Sequence, residues 1–204
     1  MSGALVFDLG KVLVDFSVEK ACMQIARTAG VAPDLIKSFL FDDGLELRFE
    51  AGEMNFAELH QIFERQFSVK IPPADLMHAA SNIFSPIDQN LKLLARLREK
   101  YGYQTRFVLL SNTNEIHWAH IEKQWNLSQW FHHLILSFEV KATKPHERIY
   151  LEVERLTGLP LSSCFFVDDV AANVDGARRT GLDAELYTDT ETLCLDLLKR
   201  GYGV

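Results

Sequence analysis

The stretch Ala4-Leu5-Val6-Phe7-Asp8-Leu9-Gly10-Lys11-Val12-Leu13-Val14-Asp15 constrains the fold more than any other part of this chain. It opens as a short apolar run, the pattern of a buried strand. It then stops on a carboxylate, with a glycine two residues later. Strands disfavour Asp, and a carboxylate near an apolar interior is costly without a partner. In an open parallel sheet, ligands bind at the carboxyl ends of the strands. Asp8 therefore reads either as a turn residue, since Asp and Gly are ordinary in turns, or as a functional group at a strand end.

A second stretch favours the functional reading. Cys164-Phe165-Phe166-Val167-Asp168-Asp169 is another buried-strand pattern, and it ends on two acids. Two such strands side by side put several negative charges in one crevice, and the cluster repels itself unless a cation joins it. An oxygen-only set of this kind suits Mg²⁺, which takes one or two carboxylates and completes its shell with water and phosphate oxygens.

Between these stretches the periodicity changes twice. From Ser17 to about Pro86 apolar residues recur at helical spacing and strand-like runs are absent. Ser17 is a plausible N-cap before Val18, Cys22, Ile25 and Ala26. Pro33 opens a second helix, Phe56 to Phe67 forms a third, and Pro72-Pro73 opens a fourth. Gly44 and Gly52 punctuate the middle. From Ile87 onward strands and helices alternate, with strands at Phe107–Leu110, Leu134–Leu136, Phe165–Val167 and Ala184–Tyr187. Such alternation implies an α/β fold, a Rossmann-like parallel sheet flanked by helices. The expected division is a core of residues 1–16 and 87–204 and an inserted helical-bundle cap of residues 17–86, lying over the sheet edge that carries Asp8.

The 204 residues suffice for one good core plus an insert. A formal net charge of −7 argues against a general nucleic-acid binder, which needs a broad basic face. It leaves room for a small phosphorylated metabolite. Cys22, Cys164 and Cys194 have no CxxC spacing, which fits reduced thiols buried as small hydrophobes. No secretory pattern and no bilayer-length apolar run is read, so a cytoplasmic location and no membrane partner are expected.

Four strand ends or the loops after them carry polar groups: Asp8, Ser111-Asn112, Lys144 and Asp168-Asp169. The set suits phosphoryl transfer through a covalent carboxyl phosphate. Asp8 is the expected nucleophile. Asp8, Asp168 and the Gly10 carbonyl are the expected Mg²⁺ ligands. Ser111, with Asn112, is placed to bind a phosphate oxygen, and Lys144 to neutralise the phosphoryl charge and hold Asp8. Asp169 and Asn173 read as groups that orient Asp168, or as caps of the helix that follows.

Phe7-Asp8-Leu9-Gly10, Ser111-Asn112-Thr113-Asn114, Lys144-Pro145, Arg148-Ile149-Tyr150 and Asp168-Asp169…Asn173, in this order, resemble the haloacid dehalogenase superfamily. The likeness covers essentially the whole chain and is to the phosphatase branch with a helical cap after the first motif. Within it, the closer likeness is to the bacterial α-D-glucose-1-phosphate phosphatase type. The resemblance implies a Mg²⁺-dependent phosphatase of small phosphorylated metabolites. The rivals are a metal-free 2-haloacid dehalogenase and a low-turnover binding protein.

The chain departs from the usual phosphatase pattern at Gly10, where the family ordinarily carries a second Asp that protonates the leaving oxygen and later activates water. Asp15, or a cap acid among Asp42, Asp43, Glu50 and Glu53, is a candidate substitute. Other groups read more simply. His117 and His120 share an amphipathic helix face and lack further soft ligands for zinc. Trp118, Trp125 and Trp130 read as core, Lys141 as a solvated charge. His146 lies near Lys144 in sequence. Phe41, Arg48 and Phe49 either read the substrate or pack the bundle.

Overall fold

The computed structural model describes residues 3–203. Five strands form one parallel sheet in the order β5-β4-β1-β6-β7. They are β1 (Gly3–Phe7), β4 (Thr105–Ser111), β5 (His133–Leu136), β6 (Cys164–Asp168) and β7 (Asp183–Leu186). The first strand is central, pairing Phe7 with Leu109 on one side and with Val167 on the other.

Side chains alternate across the sheet, as period-2 geometry requires. Leu5 and Phe7 enter one apolar layer with Leu93, Leu94 and Leu97 of α6 (Asp88–Tyr101), Ile121 of α7 (Glu115–Trp125) and Leu193 and Leu197 of α11 (Thr190–Lys199). Ala4 and Val6 enter the other with Ile149, Tyr150 and Val153 of α9 (Glu147–Thr157) and Val174 and Ala177 of α10 (Ala171–Arg179). β1 is buried on both faces, so it reads as one unbroken apolar run. Trp118, Trp125 and Trp130 pack partly buried against the first layer.

The helices between β1 and α6 pack on a third apolar cluster. These are α1 (Val18–Ala29), α2 (Pro33–Lys37), α3 (Leu45–Glu50), α4 (Phe56–Phe67) and α5 (Pro73–Ser81), with a π-helical turn at Ser38–Asp42 continuing α2. Ser17 caps α1, accepting from the Lys20 N–H. Asn55 and Glu58 form a reciprocal capping box on α4.

Three short elements differ from the sequence reading. The region 17–86 is not free of strands: β3 (Phe84–Pro86) pairs antiparallel with β2 (Val14–Phe16), joining the points where the chain leaves and re-enters the core. Three residues ending in proline carry no usable period. The helix α3 lies between Gly44 and Gly52, and α8 (Ser137–Val140) follows β5 directly. Both are too short for a periodic signal. Among the described residues, no helix is long and apolar enough to cross a membrane.

One glycine ties the fold to the loop after α8. A Cβ on Gly176, in α10, would lie 2.8 Å from the Pro145 carbonyl oxygen and 2.9 Å from the Pro145 Cβ. Helix propensity alone favours Ala there by about 1 kcal/mol. The clash with a backbone atom costs more, about 1–3 kcal/mol. Gly176→Ala is therefore expected to lower the urea midpoint rather than raise it, measured by equilibrium denaturation.

Candidate active site

The carboxyl edge of the sheet gathers the polar groups, because parallel strands end on one side. Asp8 follows β1 directly, its N–H donating to the Val167 carbonyl at 3.0 Å. Asp168 is the last residue of β6 and Ser111 the last of β4. Lys144 enters from the loop between α8 and α9. Its Nζ donates to Asp8 Oδ1 and to Asp168 Oδ2, both at 2.6 Å. The Lys144 side chain is 1% exposed.

Asp168 and Lys144 are also held by neutral groups. Asn173 Nδ2 reaches both oxygens of Asp168, at 3.0 and 3.1 Å, and the Val170 N–H donates to Asp168 Oδ1 at 2.8 Å. Tyr150, fully buried, donates its hydroxyl to the Asn173 carbonyl at 2.7 Å. Asn112 differs in part from its expected place. It lies beside the cavity described below, but its side chain serves Lys144: Oδ1 accepts from the Lys144 N–H at 2.8 Å, and Nδ2 donates to the Lys144 carbonyl at 3.1 Å. Ser111 is buried, and its hydroxyl donates to the Asn112 carbonyl at 3.2 Å.

Burial dominates the electrostatics. It raises the Asp8 pKa, while Lys144 opposes the rise and Asp168 adds to it. Burial also works against the Lys144 charge, but Asp8 and Asp168 together outweigh it and hold its pKa above the ordinary value. The Asp169 carboxyl is raised, by burial first and then by Asp168. Asp8, Asp168 and Asp169 each offer an oxygen within 4.8 Å of the others. This all-oxygen set, with excess negative charge, fits a hard divalent cation.

A largely apolar cavity opens beside this cluster. It is lined by Gly10, Ser111, Asn112 and Thr113, by the rings of Phe16, Phe41 and Phe84, and by Glu46, Glu50 and His117. Glu46 and Glu50 lie one turn apart on α3. Burial raises Glu46 to about 8, with Glu50 adding repulsion, and it raises Glu50 to about 7 against the pull of Lys144. Asn114 Nδ2 donates to Glu46 Oε1 at 3.1 Å and lies 3.0 Å from His117 Nδ1. Burial lowers His117 to about 4, so it stays neutral near pH 7.

Several candidates lie elsewhere. Lys11 lies 2.5 Å from Asp15 and holds that carboxyl below its ordinary range. Asp42 and Asp43 are exposed, and Glu53 pairs with Arg48 at the surface. His146 is exposed and caps α9, its Nδ1 accepting from the Arg148 N–H. Phe49 is buried in the helical bundle. Lys141 is exposed, and its amine donates to the Gly52 carbonyl. Sequence reading passed over Glu46 and Ser137, and gave Asn114 no role beyond its place in the motif. The four-residue spacing of Glu46 and Glu50 was a usable signal, hidden because α3 is so short.

The family profile of haloacid dehalogenase-like hydrolases matches residues 3–181 of the chain. A D-ribitol-5-phosphate phosphatase of Bacteroides thetaiotaomicron is 24% identical over 186 residues, covering 88% of each chain. The crystal structure of a family enzyme from the same organism, in complex with magnesium and inorganic phosphate, superposes with a TM-score of 0.82 at 25% identity over 95% of this chain and 99% of that one. L-2-haloacid dehalogenase from Xanthobacter autotrophicus shares the fold, with a TM-score of 0.64 at 21% identity over 97% of this chain and 83% of that one.

The raised Glu46 sets a direction for stability against pH. A carboxyl held neutral by burial favours the folded state fully below its unfolded value of 4.5, and that contribution is lost as pH rises through about 8. Glu46→Gln keeps the shape and removes the charge. It is expected to match the unsubstituted protein near pH 4 and to exceed it in urea midpoint above pH 8.

Proposed function

The chain belongs to the haloacid dehalogenase-like hydrolases, and on that premise we propose that it is a Mg²⁺-dependent phosphatase of a small phosphorylated metabolite, such as a sugar phosphate, acting through an aspartyl phosphate on Asp8. The observation that carries the reading is the Lys144 ammonium set between the carboxylates of Asp8 and Asp168, with Asp169 alongside. Lys144 aligns Asp8 for attack on phosphorus and balances charge on the transferring phosphoryl group. Asp8, Asp168 and the Gly10 carbonyl would hold the metal, which supplies charge neutralisation when bound. Asn173 keeps Asp168 in orientation, Asn112 fixes the Lys144 backbone, and Ser111 contributes a hydroxyl for a phosphate oxygen.

Residues 17–86 act in this reading as a cap that closes the cavity over the phosphate and selects the alcohol. The relative that acts on ribitol 5-phosphate supports a polyol or sugar phosphate as the substrate class. Glucose 1-phosphate belongs to that class, and its anomeric oxygen leaves more readily than a simple alkoxide. The clustered acids favour this chemistry over a metal-free dehalogenase, whose Asp attacks carbon.

Phosphate release from a panel of sugar phosphates and an aryl phosphate tests the proposal. Turnover is expected with Mg²⁺, to be lost on chelation and restored by added Mg²⁺. Asp8→Asn is expected to reduce it to background. Dehalogenation of 2-chloropropionate that survives chelation would overturn the reading.

A further inference from the structure

Position 10 has no side chain to move a proton, and its surroundings are tight. A Cβ built on Gly10 would lie 3.0 Å from Cε1 of Phe16. Phe16 is held from two sides: its ring packs on Phe84 across the β2–β3 ribbon at 6.1 Å, and Lys11 Nζ lies 4.7 Å from its centre. An aromatic ring therefore crowds position 10, and a side chain there would press on it. A phosphatase that breaks an unactivated ester here needs its proton from elsewhere.

The acids near the cavity narrow quickly. Asp15, Asp42, Asp43 and Glu53 are exposed. Glu46 and Glu50 both line the cavity that Gly10 and Ser111 also line. Of these two, Glu46 is engaged by Asn114 and reaches toward the interior of the bundle, where it also lines a second, smaller cavity with Phe49 and Phe63. Glu50 lies at the other end of α3 and lines the first cavity but not the second, and no hydrogen bond among the described residues engages its carboxyl. Its backbone is pinned to the core: Ser137 Oγ donates to the Glu50 carbonyl at 2.6 Å and accepts from the Thr113 N–H at 2.9 Å, two residues after Ser111. His117 is a poor alternative, since its Nδ1 lies 3.0 Å from the Asn114 amide.

We propose that Glu50 is the acid and base of this site, replacing the group that Gly10 lacks. The inference rests on the phosphatase reading above. In the first step an Asp8 carboxylate oxygen bonds to phosphorus and the bond from phosphorus to the ester oxygen breaks. The departing oxygen keeps that electron pair and takes the proton of the Glu50 carboxyl. In the second step water bonds to phosphorus and gives its proton to the Glu50 carboxylate. The bond from phosphorus to the Asp8 oxygen breaks, its electron pair returns to Asp8, and phosphate leaves. A carboxyl held near pH 7 is part protonated and part ionised at neutral pH, as both steps require.

The test compares two substrates in one preparation, so that the folded fraction cancels. One is an aryl phosphate, whose phenolate leaves without a proton, and the other is the best alkyl phosphate of the panel. Glu50→Gln is expected to lower kcat/KM for the alkyl phosphate by about 10²–10⁴-fold, and for the aryl phosphate by less than about tenfold. With the aryl phosphate it should also show a burst and then stall, as phosphorylated Asp8 accumulates. Glu50→Asp should recover part of the alkyl activity. Equal losses on both substrates, or none, would overturn the role of Glu50 while leaving the phosphatase reading intact. No phosphate release from either substrate by the unsubstituted protein would instead overturn the phosphatase reading.

Discussion

One buried ammonium organises the molecule. Lys144 sits between two carboxylates that would otherwise repel each other beneath the surface, and all three groups are withdrawn from water. Each ion carries a desolvation cost of several kcal/mol, and such an arrangement persists only where geometry and further hydrogen bonds return that cost. The supports are specific. Asn173 and the Val170 N–H hold Asp168, Asn112 clamps the Lys144 backbone on both its polar groups, and Tyr150 steadies Asn173 from below. The same cluster still carries more negative than positive charge, since Asp169 adds a third carboxylate. A site left with surplus negative charge in a low dielectric invites a cation, and the two demands, structural and chemical, meet in the same residues.

The apolar cavity next to the cluster follows from how the helices are anchored. Ser137 links Glu50 to Thr113, and Asn114 links Glu46 to the start of α7. The bundle that supplies Glu46, Glu50 and Phe41 is thus tied by backbone and side chain to the edge where Ser111 ends its strand. Polar groups are few in this cavity, and each stands against aromatic or aliphatic walls. Interactions made there are stronger than they would be in water.

Much of the fold was legible because its signals are local. The run Ala4–Phe7 ends on Asp8, Cys164–Val167 ends on Asp168, and the alternation of strands and helices after Ile87 needs no distant information. The five strands lie where those runs are, and the relation of Asp8 to Asp168 follows from parallel pairing at one edge. The motif order pointed to the family that the profile match shows. What escaped was either short or shared. The strand β3 and the helices α3 and α8 are too brief to carry a period, and Asn114 stands in the sequence only as one member of a motif, though its amide reaches Glu46 across 68 positions.

The sequence by itself determined where buried strands stop on charged residues, and therefore which groups a parallel sheet must collect. It also made plain that Gly10 offers no side chain, without indicating which of several acids stands nearby. Only the tertiary structure decided that. Asp15, Asp42, Asp43, Glu50 and Glu53 are alike as residue types, but burial separates them: four are left at the surface and Glu50 is set in the cavity. The reason is physical. A residue's identity fixes its charge and reach, whereas its desolvation and its neighbours depend on contacts between segments far apart in the chain.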